Sequence, residues 1–154
     1  MTGEPGWSPR LGAAGAVFQG RMWLLGGVER YYDGTPAHLR SDVWSSADGK
    51  HWKQETAQAP WAPRAYHAAV AFRDRLWVFG GGNYLPEYEA LNDVWSSADG
   101  VHWSCVTPAA PWTPRIFRDR LWVAGGMLPP LVNDVWYLEL PPGWPEGVPA
   151  GGPG

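Results

Sequence analysis

An all-β fold of repeated four-stranded antiparallel units is what this sequence predicts, and three observations support it. The word Arg-Met-Trp-Leu-Leu-Gly-Gly at 21–27 returns as Arg-Leu-Trp-Val-Phe-Gly-Gly at 75–81 and Arg-Leu-Trp-Val-Ala-Gly-Gly at 120–126. A second word, Ser-Asp-Val-Trp-Ser-Ser-Ala-Asp-Gly-Lys-His-Trp at 41–52, returns almost unchanged at 92–103 and in part as Asn-Asp-Val-Trp at 133–136. Finally, 12 Trp, 20 Gly and 16 Pro in 154 residues describe short aromatic strands punctuated by tight turns. Self-similarity at a period of about 50 residues with strand-like words inside it is the signature of propeller blades.

Taken in order, the repeat opens at Trp7-Ser-Pro-Arg10, which matches Trp61-Ala-Pro-Arg64 and Trp112-Thr-Pro-Arg115. Small residues over 13–18 form a first strand, Gln19-Gly20 a turn, and 21–25 a second strand ending at the double glycine. A loop over 28–40 separates these from a third strand at 41–45. Asp48-Gly49 then turns the chain into a fourth strand at 52–55, because glycine supplies the positive φ. The second blade repeats the scheme with strands at 67–72, 76–79, 93–97 and 103–106. Trp44 to Trp52, Trp95 to Trp103 and Trp136 to Trp144 each lie eight apart, which carries the register into a third blade.

That third blade is shortened. Arg10 precedes Trp23 by 13 positions and Arg64 precedes Trp77 by 13, but Arg115 precedes Trp122 by only 7, so six residues of the first strand are missing. Because six is even, the in/out alternation survives and Arg115 to Phe117 is left as a stub. The expected organisation is an array over 1–144, with blades at about 7–60, 61–111 and 112–144, and a flexible Pro/Gly-rich tail over 145–154.

At these residues the chain resembles a kelch-repeat β-propeller. The resemblance rests on the strand with its double glycine, the long loop and the spaced tryptophans. It implies a partial propeller of four-stranded antiparallel blades, each with its first strand innermost. Propellers close with about four to eight blades. Two full blades and part of a third therefore predict a fragment, or a piece that self-associates through its open blade edges.

A net charge of −3 with 10 Arg and 2 Lys offers no basic stripe for nucleic acid. There is no apolar run of about 18 residues, and Met1 to Gly20 lacks the pattern of a signal peptide, so no membrane partner is expected and the default compartment is cytoplasmic. Cys105 is the single cysteine and permits no disulfide framework. No cofactor is expected.

In an up-and-down blade the loops at 28–40, 82–91 and 127–132 share a face with the connectors at 56–64 and 107–115. Tyr31, Tyr32, Asp33, His38, Arg40, Tyr84, Glu87, Tyr88 and Glu89 give that face the aromatic and charged mixture of a recognition surface. Arg10, Arg64 and Arg115 precede each innermost strand, and two readings stand open. They form an axial ring that binds carboxylates bidentately, as the resemblance to kelch adaptor domains implies, or they are a structural device bonding backbone carbonyls.

Asp48 and Asp99 are expected to bond their own turns, and Asp42, Asp93 and Asp134 to do similar local work. His51 and His102 read as structural, and no metal spacing emerges. His67 has no nucleophile or acid partner at a recognisable spacing.

The expected function is a non-catalytic interaction module for a protein or acidic peptide. The competing class is a carbohydrate-active or carbohydrate-binding propeller, since Ser-x-Asp-Gly-x-x-Trp at 46–52 and 97–103 is similar to an Asp-box turn one residue shorter. Galactose-oxidase-like copper chemistry needs a Tyr-Cys pair, for which Cys105 on an outer strand is badly placed.

Overall fold

The computed structural model of the chain describes residues 5–31, 38–83, 89–110, 115–117, 120–124 and 135–138. Every named element among them is a strand. Blade one comprises β1 (Ala14–Phe18), β2 (Arg21–Val28), β3 (Leu39–Ser46) and β4 (Lys53–Thr56), hydrogen-bonded in that order. Next come β5 (Ala68–Phe72), β6 (Arg75–Phe79), the short pair β7 (Gly82–Asn83) and β8 (Glu89–Ala90), β9 (Val94–Ser97) and β10 (Trp103–Thr107). Blade two is the sheet β5-β6-β9-β10, while β7 and β8 pair only with each other inside the long loop. A third sheet orders β11 (Arg115–Phe117), β12 (Arg120–Ala124) and β13 (Val135–Leu138).

The two inner hairpins turn on residues with positive φ, Gln19 and Gly20 at 48° and 68° and Arg73 and Asp74 at 45° and 53°. Positive φ at both central residues gives the turn a twist that suits the flanking strands. Blade three keeps the same register at its turn. Phe117 pairs with Arg120 as Phe72 pairs with Arg75, and Arg115 faces Trp122 as Val70 faces Trp77, but β11 has three residues where β5 has five.

Two sequence expectations change. Strand two does not stop at the double glycine: a bulge between Leu25 and Gly27 lets the ladder continue through Gly27–Arg40 and Val28–Leu39, so the blade-one loop narrows to 29–38. Asp48-Gly49 is not a two-residue hairpin either, because strand three ends at Ser46 and strand four begins at Lys53. Side chains organise that longer connection. Ser46 Oγ accepts the Gly49 N–H at 2.9 Å, and Asp48 Oδ1 accepts the Lys50 and His51 N–H groups at 2.9 and 2.8 Å. Ser97 and Asp99 repeat the arrangement on Gly100, Val101 and His102, each at 2.8 Å.

The core lies between the blades. Phe18, Trp23, Leu25 and Val43 of blade one meet Leu76 and Val78 of blade two, with Ala59 and Trp61 of the connector closing the seam. A second cluster of Trp77, Phe79, Val94 and Ala110 occupies the other face of blade two. Trp23 and Trp77 thus take equivalent places, and their indole N–H groups donate to the carbonyls of Phe18 and Phe72 at 3.0 and 2.9 Å.

Connectors and long loops share one face, as alternation requires. The Ala59 and Arg64 N–H groups donate to Ser41 and Arg40 carbonyls, and Leu11 and Ala65 bridge to Val28 and Gly82. These approaches explain the double glycine. A Cβ on Gly26 would stand 2.9 Å from both the Arg64 carbonyl and the His67 ring, and one on Gly81 would stand 2.5 Å from the Ala65 carbonyl.

Candidate functional site

The arginines at the connector ends are spent on the fold. Arg10 Nη1 and Nη2 donate to Asp42 Oδ1 and Oδ2 at 2.6 and 3.1 Å, and Nη1 also reaches the Gly26 carbonyl at 3.0 Å. Arg64 does the same with Asp93 at 2.6 and 2.7 Å and with the Gly80 carbonyl at 3.1 Å. Arg64 is 0% exposed. A guanidinium that is buried and already bidentate has no face left for a ligand carboxylate, so for Arg10 and Arg64 the axial-ring expectation is corrected in favour of the structural device. The backbone of Arg115 lies within β11 opposite Trp122, where blade two has Val70 opposite Trp77, so it does not stand before its strand as Arg10 and Arg64 do.

Asp42 and Asp93 are corrected with them. Instead of capping their own turns they receive these arginines, and the Trp44 and Trp95 indoles donate to their Oδ2 atoms at 2.8 and 2.7 Å. Burial alone would raise the Asp93 carboxyl, but hydrogen bonds from Arg64 and Trp95 outweigh it and hold the group below its ordinary value. His51 and His102 sit on the exposed rim, where Nδ1 of each lies 2.7 Å from Oδ2 of Asp48 or Asp99. Among the described residues no group of three His, Cys, Asp or Glu is gathered to hold a metal.

The loop face carries a different set. The Tyr31 ring meets the Tyr66 ring edge-on at 6.2 Å between centroids, joining the long loop of blade one to the entrance of blade two. Tyr66 is half-exposed and holds φ at +57°, a left-handed backbone that costs a non-glycine residue about 1–2 kcal/mol. In the Pro-Arg register, Gly12 occupies the same position in blade one with φ at +60°. The sequence reading missed Tyr66, although a tyrosine standing where the repeat has a glycine was a visible signal.

Arg40 is part of this face and is 39% exposed at its side chain. Its Nε and Nη2 donate to Glu29 at 2.9 and 2.6 Å. With Ser8 also donating to it, Glu29 is held down to about 2. His38 closes the loop, its carbonyl accepting the Glu29 N–H at 3.0 Å. Tyr32, Asp33, Tyr84, Glu87 and Tyr88 lie outside the described residues.

His67 and Trp61 were not candidates, yet they line the seam. Their rings lie 5.9 Å apart, and Arg64 stands over the Trp61 ring at 5.7 Å. His67 is 8% exposed, and neither of its ring nitrogens has a hydrogen-bond partner among the described residues. Burial, reinforced by the Arg64 charge, lowers it from 6.5 to about 3 and keeps it neutral.

Comparison with known proteins places a kelch motif over residues 63–96. Over 112 residues, 67% of this chain and 2% of the relative, the sequence is 42% identical to the dynein alpha chain of the flagellar outer arm of Chlamydomonas reinhardtii. Over 141 residues, 87% of this chain and 4% of the relative, it is 30% identical to multiple epidermal growth factor-like domains protein 8 of Mus musculus. The chain therefore spans a small part of the length of the relatives it matches.

Proposed function

We propose that this chain, an all-β array of antiparallel blades that carries a kelch motif over residues 63–96, is a non-catalytic interaction module that receives a protein or acidic peptide on its loop face. Kelch repeats generally mediate protein–protein interaction. The observation that carries the reading for this chain is Tyr66. A half-exposed aromatic ring held in a left-handed backbone, at a position that the preceding blade gives to glycine, sets a tyrosine pair on the surface where the two blades meet. Strain of this kind is retained where a surface is used, and tyrosine paired with tyrosine offers a rigid amphipathic anchor for a partner.

Tyr66→Gly is the variant that separates recognition from folding, because glycine adopts the observed φ without strain. Native-source partners captured by the full-length product are to be identified and quantified for wild type and Tyr66→Gly. Loss of a reproducible partner from the variant, with its thermal midpoint within a few degrees of wild type, supports the reading. Unchanged capture removes the aromatic anchor, and turnover of a sugar substrate abolished by a loop-face substitution refutes the non-catalytic assignment.

A further inference from the structure

We propose that the face of blade one turned away from blade two is an association surface that receives blade three of a second copy of this chain, so that two copies close one ring of blades. This surface uses none of the loop-face residues. Directly paired residues of an antiparallel sheet share a face, which sets Val17 beside Met22 and Leu24 beside Trp44 here. Val17 is 69% exposed and Met22 37%, an adjoining apolar pair at the surface.

The repeat itself shows what covers such a face. By strand register Met22, Leu24 and Trp44 correspond to Leu76, Val78 and Trp95, and by sequence Trp52 corresponds to Trp103. In blade two these four pack against Phe18, Trp23, Leu25 and Val43 of blade one, and Leu76 and Val78 are fully buried by that contact. Blade one is built in the same way. Trp7 meets Trp52 edge-on at 5.9 Å between centroids, as Trp61 meets Trp103 at 6.1 Å. The turns match as well: Trp23 lies against Gly100, which is buried, whereas the equivalent Gly49 is exposed and is approached by the terminal methyl of Met22. The seat that holds an indole in blade two is thus repeated in blade one without an indole among the described residues.

A matching face occurs in the same chain. Phe117 pairs with Arg120 and Ala124 with Val135, as Phe18 pairs with Arg21 and Leu25 with Val43. Phe117, Trp122, Ala124 and Val135 therefore hold the register positions of Phe18, Trp23, Leu25 and Val43, with Trp122 at the place of the indole that sits on Gly100. Blade three of one copy on blade one of the other is a heterologous contact, and made twice about a two-fold axis it closes into a ring. Three blade sheets in each of two copies make six, inside the range of about four to eight in which propellers close. A contact of blade one with blade one would bring no strand-two tryptophan to Gly49.

Sedimentation equilibrium of the 154-residue chain tests this. Wild type should reach twice the monomer mass of 17.0 kDa, reversibly with concentration, and its thermal midpoint should rise with concentration. Met22→Arg puts a charge on the face at a position the monomer leaves partly open, so it should weaken association about 100-fold while its midpoint at dilution matches wild type. Met22→Leu should stay within about threefold of wild type. Gln58→Arg, exposed on the connector, should associate as wild type does. Ala124→Arg should also dissociate the pair, and an equimolar mixture of Met22→Arg with Ala124→Arg should associate again, because one intact set of facing blades remains.

A wild type that stays monomeric across the concentration range, or a dimer that Met22→Arg leaves intact, overturns the proposal. Dissociation by Met22→Arg with none by Ala124→Arg would mean that blade one meets blade one, and the ring falls. A mixture of the two variants that remains monomeric refutes the pairing of blade three with blade one in the same way.

Discussion

Acidification should loosen the seam between the first two blades through His67. The imidazole is wedged against Trp61 and the backbone of Gly26, with Arg64 as the neighbouring charge, and is lowered from 6.5 to about 3. Between those values the unfolded chain has taken up a proton that the folded chain refuses. The unfolded state therefore binds more protons, and stability present above pH 6.5 is lost as the pH falls toward 3. The loss is small at about pH 7 and reaches about 2 kcal/mol at about pH 5, since each unit of separation is worth about 1.4 kcal/mol. For a chain of this size that corresponds to a fall of about 4–8 °C in thermal midpoint. Glu29 and Asp93 are shifted downward, so their contributions are lost only within and below the carboxylate range, outside this window. Midpoints measured by tryptophan fluorescence across about pH 7 to about pH 5 check the expectation, with His67→Leu as the non-titrating comparison. A wild-type midpoint that does not move, or a His67→Leu slope as steep as wild type, refutes the assignment.

Two further outcomes follow from packing. Arg64→Ala strands Asp93 without its bidentate partner and removes the bond to the Gly80 carbonyl, so denaturant unfolding should show a loss of about 3–5 kcal/mol; a variant of wild-type stability would revive the axial-ring reading. Gly100→Ala would drive a Cβ to 2.1 Å from the Trp23 ring at a φ of +76°, and should cost about 2–4 kcal/mol in the same assay, whereas an unchanged midpoint would mean that the blades pack otherwise.

What the sequence determined by itself is whatever one period of the repeat contains. The strand order, the equivalence of Trp23 with Trp77 and of Trp44 with Trp95, the Asp48 and Asp99 turns and the shortened strand at Arg115 to Phe117 are local patterns, and local backbone geometry is enough to express them. The tertiary structure decided what crosses from one element or blade to another. Spacing left two readings of Arg10 and Arg64 open, because Asp42 and Asp93 lie 32 and 29 residues away and become partners only when strand three folds back beside the connector. The meeting of Tyr31 with Tyr66 and the desolvation of His67 beneath Gly26 likewise depend on two blades packing face to face. A one-dimensional period carries no record of that distance, since the burial that changes a side chain's chemistry comes from residues belonging to another repeat.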